Sequence, residues 1–237
     1  MTDSAARMQA ARGMPTPADY ERIVIVGAGG FGREVLQWAR HTWPHETAKI
    51  AGFLSADPRV LEGHATAVPM LGSPADFVPG PRDAFLLAIG IPGVRRSVVK
   101  SLLRRGARFL SLVHPTAVVA DSASIGTGSI ICPFAVVSDA ARVGAYAILN
   151  YHSSIAHDST TGDFTVMSPY ATIAGQAHVG EESFLGLHAS VGPRVRVGDR
   201  CKVSANSVVL HDAAAGSVVF GVPGRTMPNL ATAGGAE

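Results

Sequence analysis

Apolar side chains recur at every sixth position in the C-terminal half of the chain. From Val119 to Val209, 15 of the 16 positions at this spacing are apolar, and Thr161 is the exception. A six-residue period is not helical, because 3.6 residues per turn would carry the apolar position around the helix. It also differs from the two-residue alternation of a simple strand, since only one position in every six is regularly apolar. The unbroken register predicts a parallel β-solenoid from about Val113 to Val209.

The residue that follows each of these apolar positions is almost always small. Gly, Ala, Ser, Cys or Asn occupies this place in all the hexads before Leu210. We expect a triangular coil in which each hexad forms one flat face and one corner, with the aliphatic residue stacked on its copies three hexads away. The small residue would lie where the corner crowds the backbone, and glycine there would adopt a positive φ.

The N-terminal half has a different pattern, typical of a small Rossmann-like α/β domain. A strand of β-branched residues runs into the glycine-rich turn Gly27–Gly32, and helical apolar spacing follows. Such a turn gathers backbone N–H groups at a helix N-terminus, which suits a phosphate, although tight strand-to-helix packing alone would also explain it. About 90 residues are short for two mononucleotide halves, so a single nucleotide moiety is expected. The predicted elements are strands 22–26, 50–54 and 85–89 and helices 33–41 and 94–105.

The composition of the chain limits the kinds of partner and the cellular compartment that are expected. The 237 residues carry a net charge of +2, which indicates neither nucleic-acid nor membrane-surface binding. No apolar run is long enough for a transmembrane helix. The two cysteines form neither a disulfide framework nor a zinc site, so a reducing, cytoplasmic compartment is expected. We predict a disordered leader over residues 1–20, an α/β domain over 21–112 and an all-β solenoid over 113–230.

Four stretches of the chain together carry a resemblance to a known family. They are Val24 to Arg33, Ala88-Ile89-Gly90 with Arg95, Leu149 to Phe164, and Gly221 to Arg225. In these stretches the chain resembles the bacterial hexapeptide-repeat sugar acetyltransferases of the sialic-acid O-acetyltransferase and UDP-4-amino-sugar N-acetyltransferase type. The resemblance covers residues 22–225 and implies that the solenoid is a left-handed β-helix. It implies acetyl transfer from acetyl-CoA to an amino or hydroxyl group of a sugar, expected to be nucleotide-linked, in bacterial surface-glycan biosynthesis.

The same resemblance implies a role for individual residues. The general base maps to His157, its acidic neighbour to Asp158, and a backbone amide for the acetyl oxygen to Gly175. An imidazole suits this task because its ordinary pKa of about 6.5 lies near working pH. Other contacts with CoA are expected at Ala174, Gly192 and Arg225, and contacts with the acceptor at Asn150, Gly27, Gly29, Gly30, Phe31, Gly32 and Asp57.

The resemblance also implies a homotrimer with active sites between subunits and no metal. A γ-type carbonic anhydrase is the alternative enzyme, because His152 and His157 have that family's histidine spacing. The place expected for its third ligand is Thr116, and His114 is two places out of phase. A non-catalytic scaffold that binds a nucleotide sugar is the third possibility.

Overall fold

The computed structural model describes residues 13–228, which fall into two compact units, one ending at Pro115 and the other beginning at Thr116. Residues 1–12 of the predicted leader lie outside the described residues. The rest of that leader is folded, contrary to the prediction, because Pro17–Asp19 form a 3-10 helix and Tyr20 is buried. Lys49 Nζ donates to the carbonyl of Pro17 at 2.9 Å and ties this segment down.

The first unit is built on a parallel sheet flanked by helices. Its elements are β1 (Arg22–Val26), α1 (Gly30–Thr42), β2 (Ile50–Leu54), β3 (Met70–Gly72), β4 (Asp83–Leu87), α2 (Pro92–Arg104), β5 (Arg108–Phe109) and β6 (Leu112–Val113). The order of the parallel sheet is β3-β2-β1-β4-β5, which confirms the predicted Rossmann-like α/β class. Helices α1 and α2 follow β1 and β4, and a 3-10 helix spans Pro44–Lys49.

Two strands of this sheet, β3 and β5, were not predicted, and β4 begins two residues before the predicted start. The three-residue β3 and the two-residue β5 are too short to show a period. Strand β4 starts at Asp83 because this buried carboxylate accepts hydrogen bonds from Arg22 Nε at 2.7 Å and from the Gly80 amide at 2.7 Å. A polar residue thus opens a strand that hydrophobicity alone would start later.

The second unit is a parallel β-helix whose strands from Val118 to Val209 are each two residues long, and its last two strands have four residues each. As far as Val209, strands that pair are 18 residues apart, so Val137 lies beside both Val119 and Ile155, and three hexads complete one turn. The predicted left-handed hexapeptide-repeat fold is confirmed. Its strands are β7 (Val118–Val119), β8 (Ser124–Ile125), β9 (Ile130–Ile131), β10 (Val136–Val137), β11 (Arg142–Val143), β12 (Ile148–Leu149), β13 (Ser154–Ile155), β14 (Thr160–Thr161), β15 (Val166–Met167), β16 (Thr172–Ile173), β17 (His178–Val179), β18 (Phe184–Leu185), β19 (Ser190–Val191), β20 (Arg196–Val197), β21 (Lys202–Val203), β22 (Val208–Val209), β23 (Ser217–Phe220) and β24 (Arg225–Pro228).

The strands stack into three sheets, one for each face of the coil. The first face contains β7, β10, β13, β16, β19 and β22, and the second contains β8, β11, β14, β17 and β20. The third runs from β9 through β12, β15, β18 and β21 to β23, where β24 pairs antiparallel and closes the edge. Closing an edge in this way limits its pairing with other chains.

The interior of the coil is filled from two positions of each hexad, of which the sequence pattern identified one. If the aliphatic residue is position one, position five is also buried and usually small, as at Ala135, Ala147 and Ser153. The long and the small side chains together fill the triangle at each level, as close packing requires. Thr161, the polar exception at position one, is buried like its aliphatic counterparts.

The expectation that the position-two glycines adopt a positive φ is wrong. The left-handed residues are at position four of successive hexads and most are not glycine, for example Tyr146 at φ 55° and Asp158 at φ 59°. Position two is small for a different reason, which is close approach of the next turn. A Cβ on Gly144 would come within 2.4 Å of the carbonyl carbon of Gly162. Within the described residues, neither α1 nor α2 is long and apolar enough to cross a membrane.

Candidate active site

The first candidate catalytic residue, His157, lies at the corner between β13 and β14, with Asp158 next to it. Position four requires left-handed backbone, and an aspartate tolerates this conformation better than most residues. The corner is held from inside by Ser159, whose hydroxyl donates to the carbonyls of Ala174 at 2.7 Å and of His157 at 3.2 Å. The fold therefore presents two polar side chains outward on a rigid turn.

The imidazole of His157 is oriented by two neighbours. Its Nδ1 lies 2.8 Å from Asp158 Oδ2, so a proton on Nδ1 is donated to the carboxylate and Nε2 keeps its lone pair. Nε2 lies directly over Gly175, because a Cβ added there would be 2.6 Å from it. Both side chains are more than half exposed, at 59% and 54%, so a substrate can reach them.

Gly175 occupies the corner one turn after His157, and its backbone amide is available to a ligand. The described residues contain no acceptor for its N–H within hydrogen-bond distance. The equivalent amides of Ala145 and Glu181 donate to Asp163 and Asp199, each the residue 18 positions later. Gly175 has Pro193 at that place, which offers no carboxylate. The structure thus brings His157, Asp158 and Gly175 together, and the catalytic roles that the family resemblance implies for them stay a prediction.

Two of the other three residues predicted to contact CoA lie beside this corner, and the third does not. Ala174 and Gly192 follow the paired strands β16 and β19 and lie one turn apart beside this corner. Arg225 is exposed on β24, opposite Phe220, and its contacts do not bring it to His157. An added Cβ on Gly192 would lie 3.1 Å from the carbonyl oxygen of Val209, which is closer than ordinary van der Waals contact.

Asn150 lies at a different corner, between β12 and β13. Its Oδ1 accepts from the amide of Tyr151 at 2.8 Å, and its carbonyl accepts from the hydroxyl of Ser153 at 2.6 Å. Strand β13 separates it from His157, so one chain does not bring the two side chains together. These local hydrogen bonds make Asn150 a turn residue in this structure, and its contact with the acceptor stays a prediction.

The corner that holds Asn150 also carries a column of stacked rings that the sequence analysis missed. Phe134, His152, Tyr170 and His188 are each 18 residues apart at position four, with ring centroids separated by 5.0, 4.8 and 4.7 Å. The signal was readable as an 18-residue aromatic spacing. His152 is therefore a member of this stack. The described residues contain no group of three or more His, Cys, Asp or Glu able to hold a metal ion.

In the first unit the glycine-rich turn lies where β1, β2 and β4 end. Gly27, at φ 109°, needs to be glycine because a Cβ would be 2.3 Å from the carbonyl oxygen of Ala88. Gly32 is equally constrained, with an added Cβ 2.1 Å from the Gly27 carbonyl oxygen. Gly29 and Gly30 have open space instead. Two glycines thus serve packing, and two leave the backbone of the turn accessible to a ligand.

The other predicted acceptor residues of this unit have local partners. Phe31 packs edge-on against Trp38, with ring centroids 5.8 Å apart. Asp57 is exposed and its Oδ1 accepts from the amide of Arg59 at 2.9 Å, which makes it a turn residue in this structure. The neighbouring loop is held by Arg95, whose buried guanidinium donates to the carbonyls of Leu87 and Ile89 at 3.1 and 2.6 Å.

Comparison with known proteins identifies relatives of both units. Residues 22–102 match the family model described as the PglD N-terminal domain. The chain is 29% identical over 123 residues to a UDP-N-acetylbacillosamine N-acetyltransferase of Bacillus subtilis, and 30% identical over 109 residues to a GDP-perosamine N-acetyltransferase of Escherichia coli O157:H7. These matches cover 47% and 45% of this chain and 51% and 49% of the relatives. The chain therefore spans about half the length of the curated relatives it matches.

Solved structures match over a longer range. The acetyltransferase domain of PglB from Neisseria gonorrhoeae superposes with a TM-score of 0.79 at 27% identity, covering 87% of this chain and 100% of that one. PerB from Caulobacter crescentus, solved with CoA and GDP-perosamine, gives a TM-score of 0.78 at 29% identity, covering 87% and 97%. The resemblance to hexapeptide-repeat sugar acetyltransferases is confirmed.

Proposed function

We propose that this chain, which has a PglD-type N-terminal domain and the fold of the hexapeptide-repeat sugar acetyltransferases, transfers an acetyl group from acetyl-CoA to an amino group of a nucleotide-linked sugar. The observation that carries the proposal is the geometry at one corner, where His157 Nδ1 is tied to Asp158 and Nε2 faces Gly175. The relatives support the acceptor class, since their names specify N-acetylation of UDP- and GDP-linked sugars. The related PglB and PerB structures hold acetyl-CoA and CoA.

The reaction follows from the roles of these three groups. The acceptor amine attacks the thioester carbonyl while Nε2 of His157 removes its proton, so a C–N bond forms and the C–S bond then breaks. The carboxylate of Asp158 orients the ring and stabilises the imidazolium that results. The imidazolium returns the proton to the departing CoA sulfur. No covalent intermediate on the protein is required.

Negative charge that develops on the acetyl oxygen needs a donor, and the Gly175 amide supplies it. A preorganised N–H at such a position typically contributes about 3 kcal/mol to transition-state stabilisation. Support comes from the contrast with Ala145 and Glu181, whose equivalent amides are already occupied by aspartate side chains. A carboxylate in place of Pro193 would occupy the amide in the same way.

We place the site between subunits of a homotrimer. His157 and Asn150 lie at opposite corners of the face that contains β13, so a second copy must approach if both are to contact one acceptor. That face is suited to packing, because the outward side chains of its strands are short and two of them, Val118 and Val136, are apolar and exposed. Light scattering that gave a monomer at assay concentration would contradict this assembly.

The cellular setting is the cytoplasm, in the assembly of bacterial surface glycans. Cys132 and Cys201 are buried thiols that form no disulfide with each other, which suits a reducing compartment. The assay would combine acetyl-CoA with UDP- and GDP-linked 4-amino sugars and follow release of the CoA thiol. The same assay with hydroxyl acceptors would show whether O-acetylation also occurs.

The decisive variant is His157→Ala, with His64→Ala as its control because His64 is an exposed histidine of the other unit. Loss of general-base catalysis is expected to lower kcat by about 10²- to 10⁴-fold, while the control keeps wild-type turnover. A His157→Ala enzyme with full activity would remove the mechanism. Absence of turnover in the wild type with all amino- and hydroxy-sugar acceptors would favour the non-catalytic scaffold.

A further inference from the structure

Ser159 has a polar side chain that is buried inside the coil, behind the corner that carries His157. Its hydroxyl donates to the carbonyl of Ala174 at 2.7 Å, and the carbonyl of His157 lies farther away, at 3.2 Å. The Ala177 amide donates to the hydroxyl oxygen at 3.3 Å and to the Ala174 carbonyl at 3.3 Å. A hydroxyl has one proton to donate, so the short bond to Ala174 is its principal one.

The coil does not need a hydroxyl at this position for packing. One turn before and one turn after Ser159, the equivalent buried residues are Ala141 and Ala177. Alanine therefore fills the interior of this corner adequately in both neighbouring turns. The hydroxyl of Ser159 is explained by its partner, the Ala174 carbonyl, and not by the packing of the interior.

The Ala174 carbonyl belongs to the same peptide group as the Gly175 amide. In a planar trans peptide the C=O and the N–H point in opposite directions. A carbonyl held inward by Ser159 therefore directs the Gly175 N–H out of the coil. Glycine at this position makes such a restraint necessary, because a residue without Cβ adopts positive and negative φ with similar ease and lets the peptide turn over.

The coil contains complete examples of this arrangement at another corner. Ser129 donates from inside to the Gly144 carbonyl at 2.8 Å. On the outer side of the same peptide, the Ala145 amide donates to Asp163 Oδ1 at 2.7 Å. A buried hydroxyl and an outer carboxylate oxygen thus hold opposite ends of one peptide group. The second example consists of the residues Thr165, Gly180, Glu181 and Asp199, with distances of 2.9 and 2.8 Å.

At the corner of His157 the inner hydroxyl is present, but Pro193 stands where the outer carboxylate would be. We propose that Ser159 is a positioning residue, which fixes the peptide of Gly175 so that its N–H meets the negatively charged oxygen of the reacting thioester. The aspartate oxygens at the other corner occupy the equivalent place, 2.7 and 2.8 Å from the amide nitrogen. This role rests on the proposed function, whereas the orientation of the peptide rests on the coil alone.

The first test compares Ser159→Ala with Ser183→Ala in acetyl transfer to UDP- and GDP-linked 4-amino sugars. Ser183 is the matched control, because its buried hydroxyl donates in the same way to the Gly198 carbonyl, at 3.0 Å and at a different corner. We expect kcat of Ser159→Ala to fall by about tenfold with KM for acetyl-CoA within about threefold, since the amide acts on the transition state. Ser183→Ala should keep the wild-type kcat. Ser159→Thr should restore it, because Thr165 makes the equivalent bond in this coil.

The second test does not depend on acetyl transfer. Glycine labelled with a nitrogen isotope is incorporated into the full chain, and the amide signal of Gly175 is identified by its absence from the spectrum of Gly175→Ala. This signal should shift or broaden in Ser159→Ala, where the peptide samples both orientations. It should stay unchanged in Ser183→Ala, whose missing hydroxyl lies at another corner.

The two tests separate this role from the proposed function. An unchanged kcat or an unchanged Gly175 signal in Ser159→Ala would overturn the proposal, as would an equal loss of kcat in Ser183→Ala. If the signal moves in Ser159→Ala but the wild type transfers acetyl to no acceptor, the proposed function fails together with the catalytic role of Ser159. The orientation of the Gly175 peptide by Ser159 would then still stand.

Discussion

Replacing Gly175 with alanine should impair catalysis while leaving the fold intact. The added Cβ would be 2.6 Å from Nε2 and 2.7 Å from Cε1 of His157, about 0.8 Å inside ordinary van der Waals contact. The atoms that must yield belong to a half-exposed side chain, so the ring can move outward without disturbing the coil. That movement displaces the reacting nitrogen from the amide of residue 175.

A misplacement of about 1 Å at a reacting group costs about 10²-fold in rate, which corresponds to about 2.7 kcal/mol. We therefore expect kcat of Gly175→Ala to fall by about 100-fold, with little change in the thermal midpoint. The measurement is steady-state kinetics with acetyl-CoA, together with a thermal melt of the same preparation.

Gly144→Ala provides the contrasting variant. Its Cβ would meet the backbone of the next turn at 2.4 Å, which no side-chain movement relieves, so this variant should lose stability. In the double variant with His157→Ala, the effect of Gly175→Ala on kcat should largely disappear, because the base it displaces is already absent. The reasoning would be refuted by a Gly175→Ala enzyme that keeps kcat within threefold, or by equal loss of stability in both glycine variants.

Three other variants test separate parts of the structure. Asp158→Asn should lower kcat by at least about tenfold and shift its pH profile, and an unchanged profile would argue against orientation of His157 by Asp158. His114 is buried beside His41, and this burial lowers the pKa of His114 to about 4. The free energy of unfolding should therefore fall as the pH drops from about 6.5 towards 4, because the unfolded state binds the proton more readily. Urea unfolding of His114→Gln over the same pH range should show a smaller fall. Asp83→Asn should lower the free energy of unfolding by about 1–3 kcal/mol, because it removes the negative charge and one of the two oxygens that accept from Arg22 and Gly80. This loss should shrink at acidic pH, since Arg22 holds the pKa of Asp83 below its usual range and the wild-type carboxylate is itself protonated there.

The six-residue period was sufficient to predict the β-helix, because every turn has the same packing arrangement and therefore needs the same kind of side chain at the same position. It was not sufficient to predict which position adopts left-handed backbone. Residues as different as Phe134, Asp158 and Arg194 occupy position four, so composition there carries no glycine signal. In the first unit, α1, β1 and β2 were predictable from periodicity, whereas β3 and β5 are too short to show one.

The residues of the proposed catalytic corner were suggested by family resemblance, but the geometry of that corner was not predictable. The spacing between His157 and Gly175 is one full turn, and only the paired strands show that this places one directly over the other. The availability of the Gly175 amide depends in turn on Pro193, which lies a further turn along. Residues that lie together on the surface of such a coil are thus 18 positions apart in the sequence, because they stack from one turn to the next.

Because each column of stacked residues lies at one corner, a single corner carries only part of the groups that an acceptor must contact. In the proposed mechanism His157, Asp158 and Gly175 provide a base, its orienting carboxylate and an amide, but they offer no group that distinguishes one sugar from another. Asn150 and the stacked rings lie at another corner of the same coil, and the glycine-rich turn lies in the other unit. Variants at the catalytic corner should therefore lower kcat for every acceptor alike, whereas variants that change acceptor preference should map to Asn150, to the rings or to the first unit.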